Sequence, residues 1–126
     1  MHKSRLAGFI IDCQTADLPK AAEFWGAALG MDLHGLEGEE GENYIRLMDA
    51  DRGLHVEVQK VKHDSRIHLD IETDDVEAEV ARLEKLGARR VQKTNTWWVM
   101  EAPTGQRFCV VRAKAADFER KANRWE

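Results

Sequence analysis

The feature that most constrains this chain is an internal repeat, because a repeat sets the architecture before any single element is assigned. Ile11-Asp12-Cys13-Gln14-Thr15-Ala16-Asp17-Leu18 returns 58 positions later as Leu69-Asp70-Ile71-Glu72-Thr73-Asp74-Asp75-Val76, with Asp, Thr and Asp identical at matching places. The pair Leu29-Gly30 returns as Leu86-Gly87, and Met48-Asp49…Gly53 returns as Met100-Glu101…Gly105. Order is kept while the offset shrinks to 52, as loop deletions would make it. The chain of 126 residues is therefore expected to be one domain of two similar modules, about 5–60 and about 66–112, followed by a tail.

Each copy reads as βαβββ. In the first, Phe9 to Gln14 is a strand, Asp17 caps a helix with Pro19 in its tolerant first turn, and Gly30 offers the left-handed exit. Leu18, Ala21, Ala22, Trp25 and Leu29 form the apolar stripe of that helix. Strands are predicted at about 31–36, 43–49 and 54–60, the second after the acidic, Gly-rich turn from Gly35 to Glu42. In the second copy Ile67 to Glu72 is the strand, and Asp74 with Glu77 resembles a capping box. Val76, Val80, Leu83 and Leu86 make the stripe, and strands follow near 90–94, 96–101 and 106–112. Phe118, Ala122 and Trp125 in the tail, about 113–126, suggest a short docking helix. The fold class is α+β, two βαβββ modules forming a curved mixed sheet; packed about a pseudo-twofold axis, they are expected to leave a strand-lined cavity.

Charge narrows the partners. A formal net charge of −4, with no run of five basic residues, lacks the electrostatic footprint of a nucleic-acid or anionic-membrane binder. No stretch of 18 apolar residues is present and the first residues lack a signal-peptide core, so the expected setting is cytoplasmic. Cys13 and Cys109 then read as free thiols. A small molecule is the expected partner.

Strand alternation sorts the candidate site residues. Phe9, Ile11 and Cys13 share the helix-facing side, which leaves Ile10, Asp12 and Gln14 on the cavity side; the matching row of the second copy is His68, Asp70 and Glu72. His55, Glu57 and Gln59 share a face on the last strand of the first module, and the 52-residue offset maps them to Arg107, Cys109 and Val111. So many polar groups in one row suit a ligand pocket, since each unpaired buried group costs about 1–3 kcal/mol; buried salt links among Asp12, Asp70 and Arg107 are the bland alternative. Asp12, Gln14 and Arg107 are candidate ligand contacts. Trp97 and Trp98 are neighbours on one strand, so one faces the cavity as a stacking wall and the other the opposite side.

The segments Phe24-Trp25-Gly26-Ala27-Ala28-Leu29-Gly30-Met31, His68-Leu69-Asp70-Ile71-Glu72-Thr73-Asp74-Asp75 and Ala102-Pro103-Thr104-Gly105-Gln106-Arg107-Phe108-Cys109 resemble the vicinal oxygen chelate superfamily. This superfamily holds the glyoxalases, bleomycin-resistance proteins and extradiol dioxygenases, and the likeness is to its glyoxalase-like branch. The resemblance covers about residues 6–112. It implies a homodimer, and lyase, isomerase or dioxygenase chemistry or plain drug or metabolite sequestration. It also implies four metal-ligand positions, which fall at Ile10, Glu57, His68 and Cys109. Isoleucine cannot bind a metal, so the implied site is incomplete. Glu57, His68 and Cys109 remain as candidate ligands of a divalent metal, zinc being compatible with all three. Without a metal, His68 with Glu57 or Asp70 is a candidate catalytic acid–base pair for proton abstraction beside a carbonyl.

Overall fold

The structure, a computed structural model, describes residues 1–48, 53–114 and 116–126. Asp49, the end of the predicted strand 43–49, lies outside the described residues. Nine strands and four helices are found among those described, an α+β fold with a mixed sheet. The chain divides into two compact units: a continuous one, Gly8–His68, and a split one, Met1–Ala7 with Leu69–Glu126.

In the continuous unit, β1 (His2–Gln14, entering from the split unit) leads to α1 (Leu18–Leu29), then β2 (Asp32–Gly35), α2 (Glu40–Asn43), β3 (Tyr44–Met48) and β4 (His55–Val61). The Asp17 carboxylate accepts from the Lys20 backbone N–H at 3.1 Å, satisfying one of the helix's orphan donors, and Gly30 closes α1 in the left-handed region at φ 68°. The strand order is β2-β3-β4-β1, with β1 parallel to β4. Close approach of those two strands needs Gly8, because a Cβ there would sit 1.8 Å from the His55 carbonyl oxygen. Ile11, Leu18, Ala22, Leu47, Val56 and Val58 form the core, with Phe9, Cys13 and Trp25 packed against it. The helix-facing row of β1 is thus the odd-numbered one. Burial raises the Cys13 thiol pKa, as a packing cysteine requires.

In the split unit, β5 (Arg66–Thr73, its first residues in the continuous unit) leads to α3 (Val76–Lys85), then β6 (Arg89–Thr94), β7 (Trp97–Glu101), β8 (Arg107–Arg112), α4 (Phe118–Lys121) and β9 (Asn123–Trp125). The order β5-β8-β7-β6, with β5 parallel to β8, repeats the order of the first module strand for strand. Val80, Leu83, Met100 and Val110 are its core, flanked by Ile71, Trp98 and Phe108.

Three local expectations are corrected. The cap of α3 is Asp75, which accepts from the Ala78 N–H at 3.0 Å; Asp74 instead accepts from the Lys3 backbone N–H at 2.9 Å. The acidic turn after Gly35 winds into the one-turn helix α2. The tail is one helical turn and then a strand, β9, antiparallel to β1 at His2–Ser4, where a backbone ladder absorbs donors that a longer helix would have used internally.

Candidate functional site

The site begins with what the core leaves over. Because Ile11 and Cys13 pack toward α1, Ile10, Asp12 and Gln14 take the other face of β1. The parallel ladder sets Ile10 beside Glu57 and Asp12 beside Gln59, and the next strand sets Arg46 beside Glu57 and Tyr44 beside Gln59. Gln59 donates through Nε2 to the Tyr44 hydroxyl at 2.8 Å, and Glu57 lies 3.4 Å from His55 Nε2. Ile10 is buried at 3% exposure, a hydrocarbon among these polar groups.

Within the continuous unit, Asp12 meets the first residues of β5. Its side chain is 2% exposed, and Oδ2 lies 2.7 Å from His68 Nδ1, in the range of a charge-assisted hydrogen bond. Arg66 Nε stands 3.8 Å from the same oxygen. Oδ1 is buried and has no hydrogen-bond partner among the described residues. A carboxylate only accepts, so Nδ1 carries the proton of this bond, and in the neutral imidazole Nε2 is then the acceptor nitrogen.

Along the same face of β5, Asp70 follows His68 by two residues and stands opposite Cys109 of β8. A carboxylate oxygen beside a thiolate sulfur suits Zn²⁺ and does not suit the all-oxygen preference of Mg²⁺ or Ca²⁺. Glu57, in the continuous unit, has His55 as its ion-pair partner. By pairing register, Cys109 holds in its module the place that Gln59 holds in the other, two residues from the place the sequence repeat assigns it. A shift of two keeps the face and changes the neighbour.

The other expected contacts are dispersed. Gln14 is tied to the loop after β4, donating to the Lys62 carbonyl at 2.9 Å and, through its backbone, to Ser65 Oγ at 3.0 Å. Arg107 lies 3.6 Å from Glu101 on β7, which Arg89 also bonds. Trp98 packs on the α3 side and donates to Glu77 at 2.9 Å, so Trp97 takes the face shared with Cys109. Tyr44 and Arg66 escaped the sequence reading: the partner of a strand-edge tyrosine depends on register, and an arginine before a strand carries no signal of the carboxylate it approaches.

With this geometry in place, comparison with known proteins gives the family. A glyoxalase-like domain matches residues 8–111. The chain belongs to the glyoxalase-like domain family. Solved structures similar to it include methylmalonyl-CoA epimerase from Mycobacterium tuberculosis, at 19% identity and TM-score 0.64 over 87% of this chain and 88% of that one. A Streptomyces coelicolor methylmalonyl-CoA epimerase variant in complex with 2-nitronate-propionyl-CoA is similar at 18% identity and TM-score 0.58, over 88% and 98%. A glyoxalase/bleomycin resistance protein/dioxygenase superfamily member from Vibrio splendidus 12B01 is similar at 14% identity and TM-score 0.59, over 87% and 99%. At these identities the likeness is one of fold. No curated protein matches the chain significantly. Among the described residues no helix is long and apolar enough to cross a membrane.

Proposed function

We propose that this glyoxalase-like protein binds a small carbonyl compound and moves a proton at the carbon next to its carbonyl, with His68 as the group that takes and returns it. The observation that carries the reading is a histidine 13% exposed whose Nδ1 is engaged by a buried carboxylate, which leaves Nε2 as a base. The proton passes from carbon to Nε2, the electron pair of the broken C–H bond becomes the enolate, and reprotonation from the same nitrogen restores the compound, or gives the inverted centre where the enolate turns its other face to His68. The fold likeness to methylmalonyl-CoA epimerase makes acyl thioesters the first class to try.

The test is deuterium uptake from D₂O into a panel of acyl-CoA thioesters, methylmalonyl-CoA included, 2-oxo acids and hydroxy ketones, followed by mass spectrometry. Uptake next to the carbonyl that His68→Ala abolishes and a chelator leaves intact supports the reading. No uptake from any of them, with ligands still raising the melting temperature, replaces it by sequestration without turnover.

A second reading is supported by donor chemistry: His68 and Asp70 share one face of β5, and Cys109 of β8 pairs in register with Asp70. These three would hold a divalent metal such as Zn²⁺, with Asp12 as the carboxylate that orients the histidine. Three protein ligands leave a position open for water or substrate, and the ion would supply a Lewis acid there. Metal analysis of the protein and of His68→Ala, Asp70→Ala, Cys109→Ala and Glu57→Ala separates the possibilities. Stoichiometric metal lost in the first three and kept in the fourth supports this set; loss in Glu57→Ala returns the site to the positions the family resemblance implies; no metal after dialysis against Zn²⁺ retires both.

A further inference from the structure

We propose that Asp12 is a positioning residue: it sets which nitrogen of His68 carries the proton and so makes Nε2 the working one. This rests on the reading of His68 as the proton-transfer group and deepens it by assigning the tautomer to the carboxylate behind the ring.

Asp12 is held from both sides in sequence. Ile11 and Cys13 pack against the α1 core and the residue itself is locked into the β1–β4 ladder opposite Gln59, so its backbone has no freedom to turn away. With a side chain 2% exposed, the carboxylate has little room to swing, and Oδ2 meets Nδ1 at 2.7 Å. The neighbouring Arg66 Nε, at 3.8 Å, lies beyond hydrogen-bond reach and does not compete for that oxygen. A carboxylate kept only to seal the fold is expected to have both oxygens satisfied, because an unpaired buried acceptor costs about 1–3 kcal/mol and more when charged. Asp12 leaves Oδ1 without a partner among the described residues while Oδ2 holds the imidazole. That cost is tolerated for the orientation of His68, in the way carboxylates elsewhere hold a histidine in one tautomer.

The test is the tautomer of His68, read from long-range ¹H–¹⁵N spectra of histidine-labelled protein well above the imidazole range, the signal being assigned by its loss in His68→Gln. In the wild type Nε2 is expected to show the shift of an unprotonated ring nitrogen. Asp12→Ala is expected to move the proton to Nε2 in most molecules, whereas Asp12→Asn, whose side-chain carbonyl still accepts from Nδ1–H, is expected to keep the wild-type tautomer. Asp12→Leu, similar in volume and without an acceptor, stands in if the alanine variant does not fold. On any compound that exchanges, kcat is expected to fall at least about tenfold in Asp12→Ala with KM within about twofold.

An unchanged tautomer in the Ala and Leu variants overturns the proposal whatever the activity. A switched tautomer in a protein that exchanges nothing supports the role of Asp12 and overturns proton transfer by His68 instead, so the two failures are told apart.

Discussion

Asp12 and Glu79, one in each unit, are the most deeply buried carboxylates among the described residues, and they are treated in opposite ways. Glu79, on α3 of the split unit, is fully buried and fully satisfied: His2 Nε2 at 2.8 Å and Arg82 Nε at 2.9 Å reach Oε1, while Ser4 Oγ and Arg82 Nη2, each at 2.8 Å, reach Oε2. Trp125 extends the network, donating to Ser4 Oγ at 2.8 Å while its ring lies 3.9 Å from the Arg82 guanidinium carbon. The same side chain thereby joins the start of β1, the end of β9 and helix α3. Asp12, in the continuous unit, has one oxygen on His68 and the other without a partner among the described residues. A saturated carboxylate stabilises a fold; one left half satisfied beside a histidine is what a working site looks like, because reactivity needs a group whose bonding is not complete.

The largest effect expected from this contrast is at Glu79. Glu79→Ala strands the donors of His2 and Ser4 and opens a cavity in α3, and is expected to cost about 3 kcal/mol in urea unfolding. A loss below about 1 kcal/mol would break the comparison, since Glu79 would then hold nothing together.

Acid should find the same residue. Burial pushes the Glu79 carboxyl up, but the hydrogen bonds from Arg82, His2 and Ser4 outweigh it and hold the group below the usual carboxylate range. A folded-state value below the unfolded one means that the contribution is fully present above the ordinary glutamate pKa of about 4.3 and is lost as pH falls through the depressed folded value. Glu79→Gln is therefore expected to flatten the acid limb of a stability-against-pH curve; an unchanged slope would place the acid sensitivity elsewhere.

Trp125→Phe keeps a ring over Arg82 and removes only the N–H donated to Ser4, with an expected cost of about 1 kcal/mol. Unfolding that is indistinguishable from wild type would show that the β9 strand adds nothing to the network.

The smallest effect is at Asp12. Replacing it by Asn retains an acceptor for Nδ1 and removes a buried charge, so stability is expected to stay within about 1 kcal/mol of wild type or to rise. A loss as large as that of Glu79→Ala would make Asp12 a second structural carboxylate and erase the difference between the units.

Much of this was legible in residue order. The repeat from Ile11 to Leu18 and from Leu69 to Val76 predicts two modules, and both adopt the same strand order. Asp17 and Gly30 mark the ends of α1 because cap chemistry is local. Alternation separates Phe9, Ile11 and Cys13 from Ile10, Asp12 and Gln14 because a strand has period two. The tail was harder: Phe118, Ala122 and Trp125 have helical spacing, yet Trp125 ends in β9 because its partners, Ser4 and Arg82, are more than 40 residues away in sequence. The burial of Glu79 was equally silent, since on α3 it reads as one more charged residue until His2 and Ser4 are brought to it.

At the candidate site the division is sharper. Sequence by itself determined the modules, the family likeness and the face on which Asp12, His68, Asp70, Glu57 and Cys109 lie, because faces follow from local periodicity. Only the tertiary structure decided neighbours along that face. It gave Asp12 to His68, set Asp70 opposite Cys109 and left Glu57 with His55. Sliding one strand past another by two residues changes no face and no local propensity, so the register is chosen by the summed packing of the strands and is written in no single stretch of the chain.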